Sequence, residues 1–325
     1  MPLATPGFWY GQGPGALPAR LLRPIGELHH RIVQQRLRGG APASSVPVIC
    51  IGNATVGGVG KTPVVRRLGE VLRERGHRVH VLTRGYGGSL KGPVRVLESH
   101  AAAEVGDEPK MLARDLPVWI AKDRGEGAET AADAGAEVIL MDDGLQNPSV
   151  TKRLSILVVD EERWFGNGLV FPAGPLREHP EAALSRSAAV ISVLPGGQDL
   201  SGRTRAFAGD KPLFAARFVL DMAGLPEGPF AVFCGIGQPE RFRRSLENAG
   251  ATIAFFEAFA DHHALSAGEL ASLRERAARA GARLVTTEKD FARLPEADRA
   301  GITPVRGQMH IEQEDRLVRL LEEVL

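Results

Sequence analysis

Cysteine is nearly absent from this chain: two in 325 residues, Cys50 and Cys234, each inside an apolar run. Two thiols so far apart offer neither a zinc cage nor a Cys-x-x-Cys redox pair, so the expected setting is a reducing, cytosolic one. Net charge is equally scarce. Forty Lys and Arg stand against 39 Asp and Glu, which removes any global electrostatic case for a nucleic-acid partner. No stretch approaches about 18 uncharged apolar residues, which argues against a spanning helix of ordinary length. No cleavable leader is apparent at the N-terminus. Internal repeats and long low-complexity segments are missing too, and nothing points to an obligate protein partner. What is there is a globular composition, 43% hydrophobic and 24% charged, in a chain long enough for one large domain or two ordinary ones.

The most informative stretch begins with the apolar run Val46–Ile51. It breaks into the loop Gly52-Asn53-Ala54-Thr55-Val56-Gly57-Gly58-Val59-Gly60-Lys61-Thr62, and a helical pattern follows from Pro63 to about Arg75. Strand, glycine-rich loop and helix in that order hold a nucleotide's phosphate tail. Backbone N–H groups turn inward on phosphate oxygens and the helix N-terminus adds partial positive charge. Thr55, Val56, Gly57, Gly58, Val59, Gly60, Lys61 and Thr62 are the expected cradle, with Lys61 on the outer phosphates and the Thr62 hydroxyl on Mg²⁺. The strict pattern wants glycine where Thr55 stands. The flanking strand and helix, with Pro63 in the first turn, carry the assignment instead.

Apolar runs then alternate with helical segments: strands over 78–83, 118–121, 138–141, 156–159 and 190–194, helices over 61–75, 106–114 and 127–134. That alternation predicts an α/β fold of phosphate-loop type, a parallel sheet with helices on both faces. Residues 196–210 read as a polar linker. A second series follows, with strands over 230–234, 253–258 and 283–287 and helices over 240–249, 267–280 and 314–325. The expected organisation is an N-terminal segment 1–40, a nucleotide-binding and catalytic domain 41–209, and a smaller α/β domain 210–325 closing the cleft.

Several polar groups stand at strand ends, where ligands bind in such sheets. Val138–Met141 ends in Asp142 and Asp143, placed to bind Mg²⁺ beside the phosphate loop, with Asp142 the expected direct ligand. In Gly106-Asp107-Glu108-Pro109, Asp107 is either an acceptor for a hydroxyl proton or a helix cap; the bare sequence leaves both open. Arg177 and Glu178 lie in a turn-rich loop, as charge neutraliser and orienter or as a solvated pair. His262 and His263 lack further ligands at zinc spacing, so a proton relay or a capped turn is expected. Thr286–Asp290 either reaches a nucleotide base or ribose, or caps the next turn.

The N-terminus carries Phe8-Trp9-Tyr10 and then Leu17, Leu21, Leu22, Ile25, Leu28, Ile32, Val33 and Leu37. Five arginines (20, 23, 31, 36 and 38) are interleaved against the single acid Glu27. A basic amphipathic helix with leading aromatics suits an anionic membrane surface.

With these residues together, the chain resembles the tetraacyldisaccharide 4′-kinase family of lipid A biosynthesis. The resemblance runs from Gly52–Pro63 through Arg84-Gly85-Tyr86-Gly87-Gly88, Gly106–Pro109, Asp142-Asp143-Gly144-Leu145-Gln146, Phe165–Gly168 and Pro172–Glu178. It continues in Gly235-Ile236-Gly237 with Pro239, Asp261-His262 and Thr287–Asp290, covering nearly the whole chain in the family's order. It implies an ATP- and Mg²⁺-dependent kinase, peripheral at the cytoplasmic face of the bacterial inner membrane. Its acceptor would be the 4′-hydroxyl of an acylated glucosamine disaccharide 1-phosphate. Asp107 matches the family's catalytic base, His262 its partner (His263 if the register differs by one), and Arg177-Glu178 its active-site pair. Asn147 departs from the histidine common there and is given no proton-transfer role.

Overall fold

The computed structural model describes residues 6–11, 16–261 and 263–325. The first part of the chain runs α1 (Leu17–Arg38), β1 (Val48–Gly52), α2 (Lys61–Glu74), β2 (Val79–Thr83), β3 (Val94–Arg95), α3 (Ala102–Val105) and α4 (Asp107–Leu112). Then come β4 (Val118–Ile120), α5 (Arg124–Asp133), β5 (Val138–Asp142), β6 (Leu154–Asp160), α6 (Pro180–Ser185) and β7 (Ala189–Leu194). The remainder opens with α7 (Gly202–Ala208), β8 (Leu213–Asp221), β9 (Phe230–Cys234), α8 (Pro239–Asn248) and β10 (Ile253–Ala258). It closes with α9 (Ala267–Arg279), β11 (Arg283–Thr287), α10 (Glu288–Arg293), β12 (Ile302–Ile311) and α11 (Glu314–Glu322).

Among the described residues twelve strands form one sheet, ordered β10-β9-β11-β12-β8-β7-β6-β1-β5-β2-β4-β3. β1 lies between β5 and β6, parallel to both, and all five of its residues are buried. A strand covered on both faces is apolar throughout rather than alternating, which explains the unbroken Val48-Ile49-Cys50-Ile51. On α2, Val64, Val65, Leu68, Val71 and Leu72 recur at helical spacing and are all buried against one face of the sheet. Each contributes about 2 kcal/mol by leaving water. Those contacts fix where α2 begins, and so where the phosphate loop sits.

The division expected near residue 210 falls just before β8. That strand pairs in parallel with β7 and antiparallel with β12, so the sheet passes through it without a break. Phe214 and Ala216 of β8, Met309 and Ile311 of β12, and Leu317, Val318 and Leu321 of α11 share one core with Ile49, Val64 and Leu68. The last helix thus closes the core of the nucleotide-binding half, and Arg67 of α2 clasps Glu314 through two hydrogen bonds of 2.8 and 2.7 Å. A separate core covers β9 and β11, built from residues such as Phe233, Leu270, Leu273 and Leu284.

The stretch read as a linker contains α7, capped by Ser201, whose hydroxyl accepts the Thr204 N–H. β8 and β12 were not anticipated. β12 carries Pro304 near its start and puts Gly307, which has no side chain, at one of its alternating buried positions, so the apolar signal a strand normally displays is thinned.

Candidate active site

β1 delivers the chain into the loop 53–62 at the carboxyl edge of the sheet. Gly60 turns into α2 with φ +89°, a conformation that a side chain would strain. Thr55 makes no such turn. It bridges to Leu176, and Asn53 Nδ2 donates to its carbonyl at 2.9 Å and its hydroxyl at 3.0 Å. Threonine is therefore tolerated where the strict motif has glycine. The Val56 amide is spent on the Pro175 carbonyl at 2.7 Å, which removes it from the expected cradle. The amides of residues 57–62 have no protein acceptor among the described residues. Lys61 Nζ donates to Asn53 Oδ1 at 3.1 Å and lies 3.6 Å from Asp143.

Asp142 ends β5, buried. Its Oδ2 accepts from the Thr62 hydroxyl at 3.0 Å, while its Oδ1 has no partner among the described residues. Burial, reinforced by the Glu108 carboxylate, pushes its pKa up to about 7. Glu108 Oε2 lies 3.5 Å from the same Thr62 hydroxyl. Oxygens from α2, β5 and α4 thus converge beside the loop, and one of them is orphaned. That donor set fits a hard divalent cation. No three His, Cys, Asp or Glu side chains gather into a complete cage among the described residues. Mg²⁺ shared with a nucleotide needs none, because phosphate and water complete its shell.

Asp143, expected beside Asp142 as a second ligand, is occupied otherwise. Both Nη groups of Arg177 donate to it, at 2.6 and 2.9 Å. Burial opposes its ionisation, yet Lys61 and Arg177 outweigh burial and hold its pKa down at about 2. Glu178 is fully buried and saturated. Arg186 Nη2 reaches both its oxygens at 2.6 Å, Gln34 of α1 donates at 2.7 Å, and Gln146 donates at 2.8 Å. Gln146 Nε2 also donates to the Asn53 carbonyl at 2.9 Å. Four hydrogen bonds from three donors fill the carboxylate's acceptor sites, so Glu178 ties α1 to the phosphate loop and is not presented to a substrate.

Asp107 is the first residue of α4, and the cap is Gly106 at φ +96°. Arg293 of α10 donates from Nε to Asp107 Oδ2 at 2.7 Å, and from Nη1 to Asp290 at 2.7 Å and the Gly235 carbonyl at 3.0 Å. His262 lies outside the described residues. The ring of His263 stacks on Phe259 and its Nε2 is 3.1 Å from Glu269 Oε1, within the cap of α9. In the Thr286–Asp290 stretch the capping alternative is realised. Thr287 accepts the Asp290 N–H at 3.0 Å, and Glu288 is buried against Arg66 of α2 at 3.0 Å. The far half touches the loop directly, where Gln238 donates to the Gly58 carbonyl at 2.9 Å.

α1 runs unbroken through Pro24. Its inner side buries Ala19 and Gly26; a Cβ at Gly26 would meet the Val170 carbonyl oxygen at 2.5 Å, so only glycine lets the helix lie this close. Trp9, expected at a membrane surface, is instead buried, with its indole donating to the Pro172 carbonyl at 3.2 Å. Leu17, Leu21, Ile25, Leu28 and Ile32 form the outward stripe, 40 to 69% exposed, and the five arginines of the segment are exposed as well.

Sequence reading assigned no role to Gln34, Asn53, Glu108 or Arg293. Glu108 and Asn53 sit inside motifs that were noticed. Gln34 and Arg293 meet partners 144 and 186 residues away, and nothing local marks them.

A loop of open amides after the central strand, with acids gathered at its mouth, places the chain among phosphate-loop phosphotransferases. Comparison with known proteins narrows the class. Residues 18–325 match the family model for tetraacyldisaccharide-1-P 4′-kinase, and the chain belongs to that family. It is 46% identical to the tetraacyldisaccharide 4′-kinase of Caulobacter sp. (strain K31), over 100% of this chain and 99% of the relative. Identity to the same enzyme of Phenylobacterium zucineum (strain HLK1) is 49%, over 94% of both. A crystal structure of the "apo" form of LpxK from Aquifex aeolicus in complex with ATP superposes with a TM-score of 0.75. It covers 94% of this chain and 99% of that one at 26% identity. The protein is thus an enzyme, a kinase of lipid A biosynthesis.

Proposed function

We propose that this kinase moves the γ-phosphoryl group of ATP to the 4′-hydroxyl of a tetraacyldisaccharide 1-phosphate at an anionic membrane surface. The observation that carries the reading is the convergence of Thr62, Asp142 and Glu108 beside amides that have no protein acceptor. The amides of residues 57–62 bind phosphate oxygens, and Lys61 turns from Asn53 to the outer phosphates. Thr62, Asp142 and Glu108 are the residues that would hold Mg²⁺. When bound, the ion neutralises charge on the phosphoryl oxygens. Asp143 keeps Arg177 and Lys61 in place on the rim. Asp107 takes the proton of the attacking hydroxyl, with His262 as its partner by family resemblance. The protein forms no covalent intermediate, so positioning and charge neutralisation supply most of the catalysis.

The outward stripe of α1 is the membrane-contacting surface. Apolar side chains flanked by exposed arginines suit the boundary of an anionic bilayer, where the acceptor's acyl chains reside. Among the described residues no helix is long and apolar enough to cross a membrane. The exposed stripe of α1 supports a peripheral attachment, and the family resemblance supports the cytoplasmic face of the inner membrane as its location. Phe171, 44% exposed and packed edge-on to Trp9 and His29, continues the apolar surface towards Arg177.

The test is transfer of labelled γ-phosphate to the acylated disaccharide in mixed micelles, with the product's phosphate mapped to a position. Label on the 4′-oxygen is the expected outcome. Nucleotide hydrolysis without transfer would overturn the proposal.

A further inference from the structure

The far half of the chain grips the phosphate loop at the Gly58 carbonyl, which accepts from Gln238 Nε2 at 2.9 Å. The same nitrogen donates to Asp160 Oδ2 at 3.3 Å. Both partners are acceptors, so the amide nitrogen of Gln238 belongs there and not its oxygen. Glutamine suits this junction because one nitrogen carries two N–H groups, one for each partner. Asp160 is buried at the end of β6, the strand alongside β1, and its Oδ1 accepts the amides of Glu162 (2.9 Å) and Arg163 (3.1 Å). Arg241 of α8 donates to Asp160 Oδ2 at 2.8 Å, and Arg163 reaches back to the Gly237 carbonyl at 3.2 Å. Gln238 is therefore braced by both halves of the chain where it meets the loop.

Gly58 has little of its own to fix it. Among the described residues no main-chain N–H reaches its carbonyl; the residue is exposed, and a Cβ placed on it would meet nothing within 4 Å. Gly57 before it stands at φ +108°, so two glycines precede the peptide that joins Gly58 to Val59. A peptide in that setting turns over at low cost. Its bond is planar and trans, so its carbonyl and its N–H point in opposite directions. With the carbonyl held on Gln238, the Val59 N–H points the other way. That N–H has no protein acceptor among the described residues, and successive amides turned so make a concavity for an anion. Turned over, the same peptide would show the phosphates a carbonyl oxygen and repel them.

We propose that Gln238 is a positioning residue for the nucleotide: it holds the Gly58–Val59 peptide with the N–H, not the carbonyl, towards the β- and γ-phosphates of ATP. The inference rests on the phosphate loop as the site of ATP, assigned above. Gln238 acts through Gly58, and Asp160 with Arg241 keeps Gln238 in place. Phosphate recognition by a loop after β1 is thus set in part by a side chain 180 residues away, at the start of α8.

The experiment uses Gln238→Met in the full chain, which keeps the side chain's length and removes both N–H groups. Gln238 is only half-buried, so the variant should melt like the wild type. Equilibrium binding with Mg²⁺ and without acceptor should show ATP held roughly tenfold more weakly, the scale of one hydrogen bond to a charged group. AMP, which lacks the β- and γ-phosphates, should bind as it does to the wild type. In turnover, the KM for ATP should rise by the same factor and the KM for the acylated disaccharide should not change. Undiminished ATP affinity overturns the proposal. Equal weakening of ATP and AMP, or of ATP and the disaccharide, also overturns it, since Gln238 would then be a contact between the halves and nothing more. If ATP alone is weakened in an enzyme that transfers no phosphate to the disaccharide, the assigned reaction fails and the positioning role stands.

Discussion

Arg293 Nε donates to Asp107 Oδ2 at 2.7 Å, joining the helix after β11 to the helix before β4. Arg293 is itself fixed by Asp290 and by the Gly235 carbonyl. The candidate base is therefore aimed by groups from the far half of the chain. Arg293→Ala should lower kcat by about tenfold to a hundredfold, the scale of a misplaced reacting group, with a smaller change in KM for ATP. Asp107→Ala should cost more in kcat and equally little in nucleotide affinity. Steady-state kinetics check both, and matching losses in kcat and nucleotide binding would make the pair structural.

Asp142 without a cation is a strained acid. Burial raises its folded pKa to about 7 from an ordinary 3.8. The folded state then holds this proton more tightly than the unfolded one, so stability declines as pH rises through that window. Asparagine cannot ionise. Asp142→Asn should melt higher than the wild type at pH 8 in chelator, lose that advantage near pH 4, and show no kinase activity. Calorimetry at several pH values tests it; a melting difference independent of pH would refute the argument.

Glu178 should behave as a structural residue. Glu178→Ala strands Arg186 and removes the acceptor shared by Gln34 and Gln146, a loss of roughly 3 kcal/mol, near the low end for a buried pair because Arg186 reaches solvent. Chemical denaturation measures it. A variant as stable as the wild type but catalytically dead would restore Glu178 to direct chemistry.

Leu21→Asp with Leu28→Asp should abolish binding to vesicles containing anionic lipid and leave the melting temperature nearly unchanged, since both side chains are more than half exposed. Vesicle flotation is the readout, and undiminished flotation would remove α1 from the membrane. Deleting residues to Gly40 is a poorer test, because it also strips Gln34 from Glu178 and uncovers the surface around Val170.

The phosphate loop, the acids at the end of β5 and the amphipathic N-terminus were legible in the sequence because each is a local pattern. A central strand must be apolar on both faces, a phosphate cradle must turn through Gly60, and a surface helix must repeat every three or four residues. What each group faces was decided by tertiary structure. Asp142 and Asp143 are neighbours in sequence, yet one is orphaned beside Thr62 and the other clasped by Arg177. Glu178 follows Arg177 and is turned inward to Arg186. Trp9 is buried where its neighbours suggested exposure. Side-chain charge pairing depends on distances across the sheet, and no spacing along the chain encodes those distances until the strands are in order.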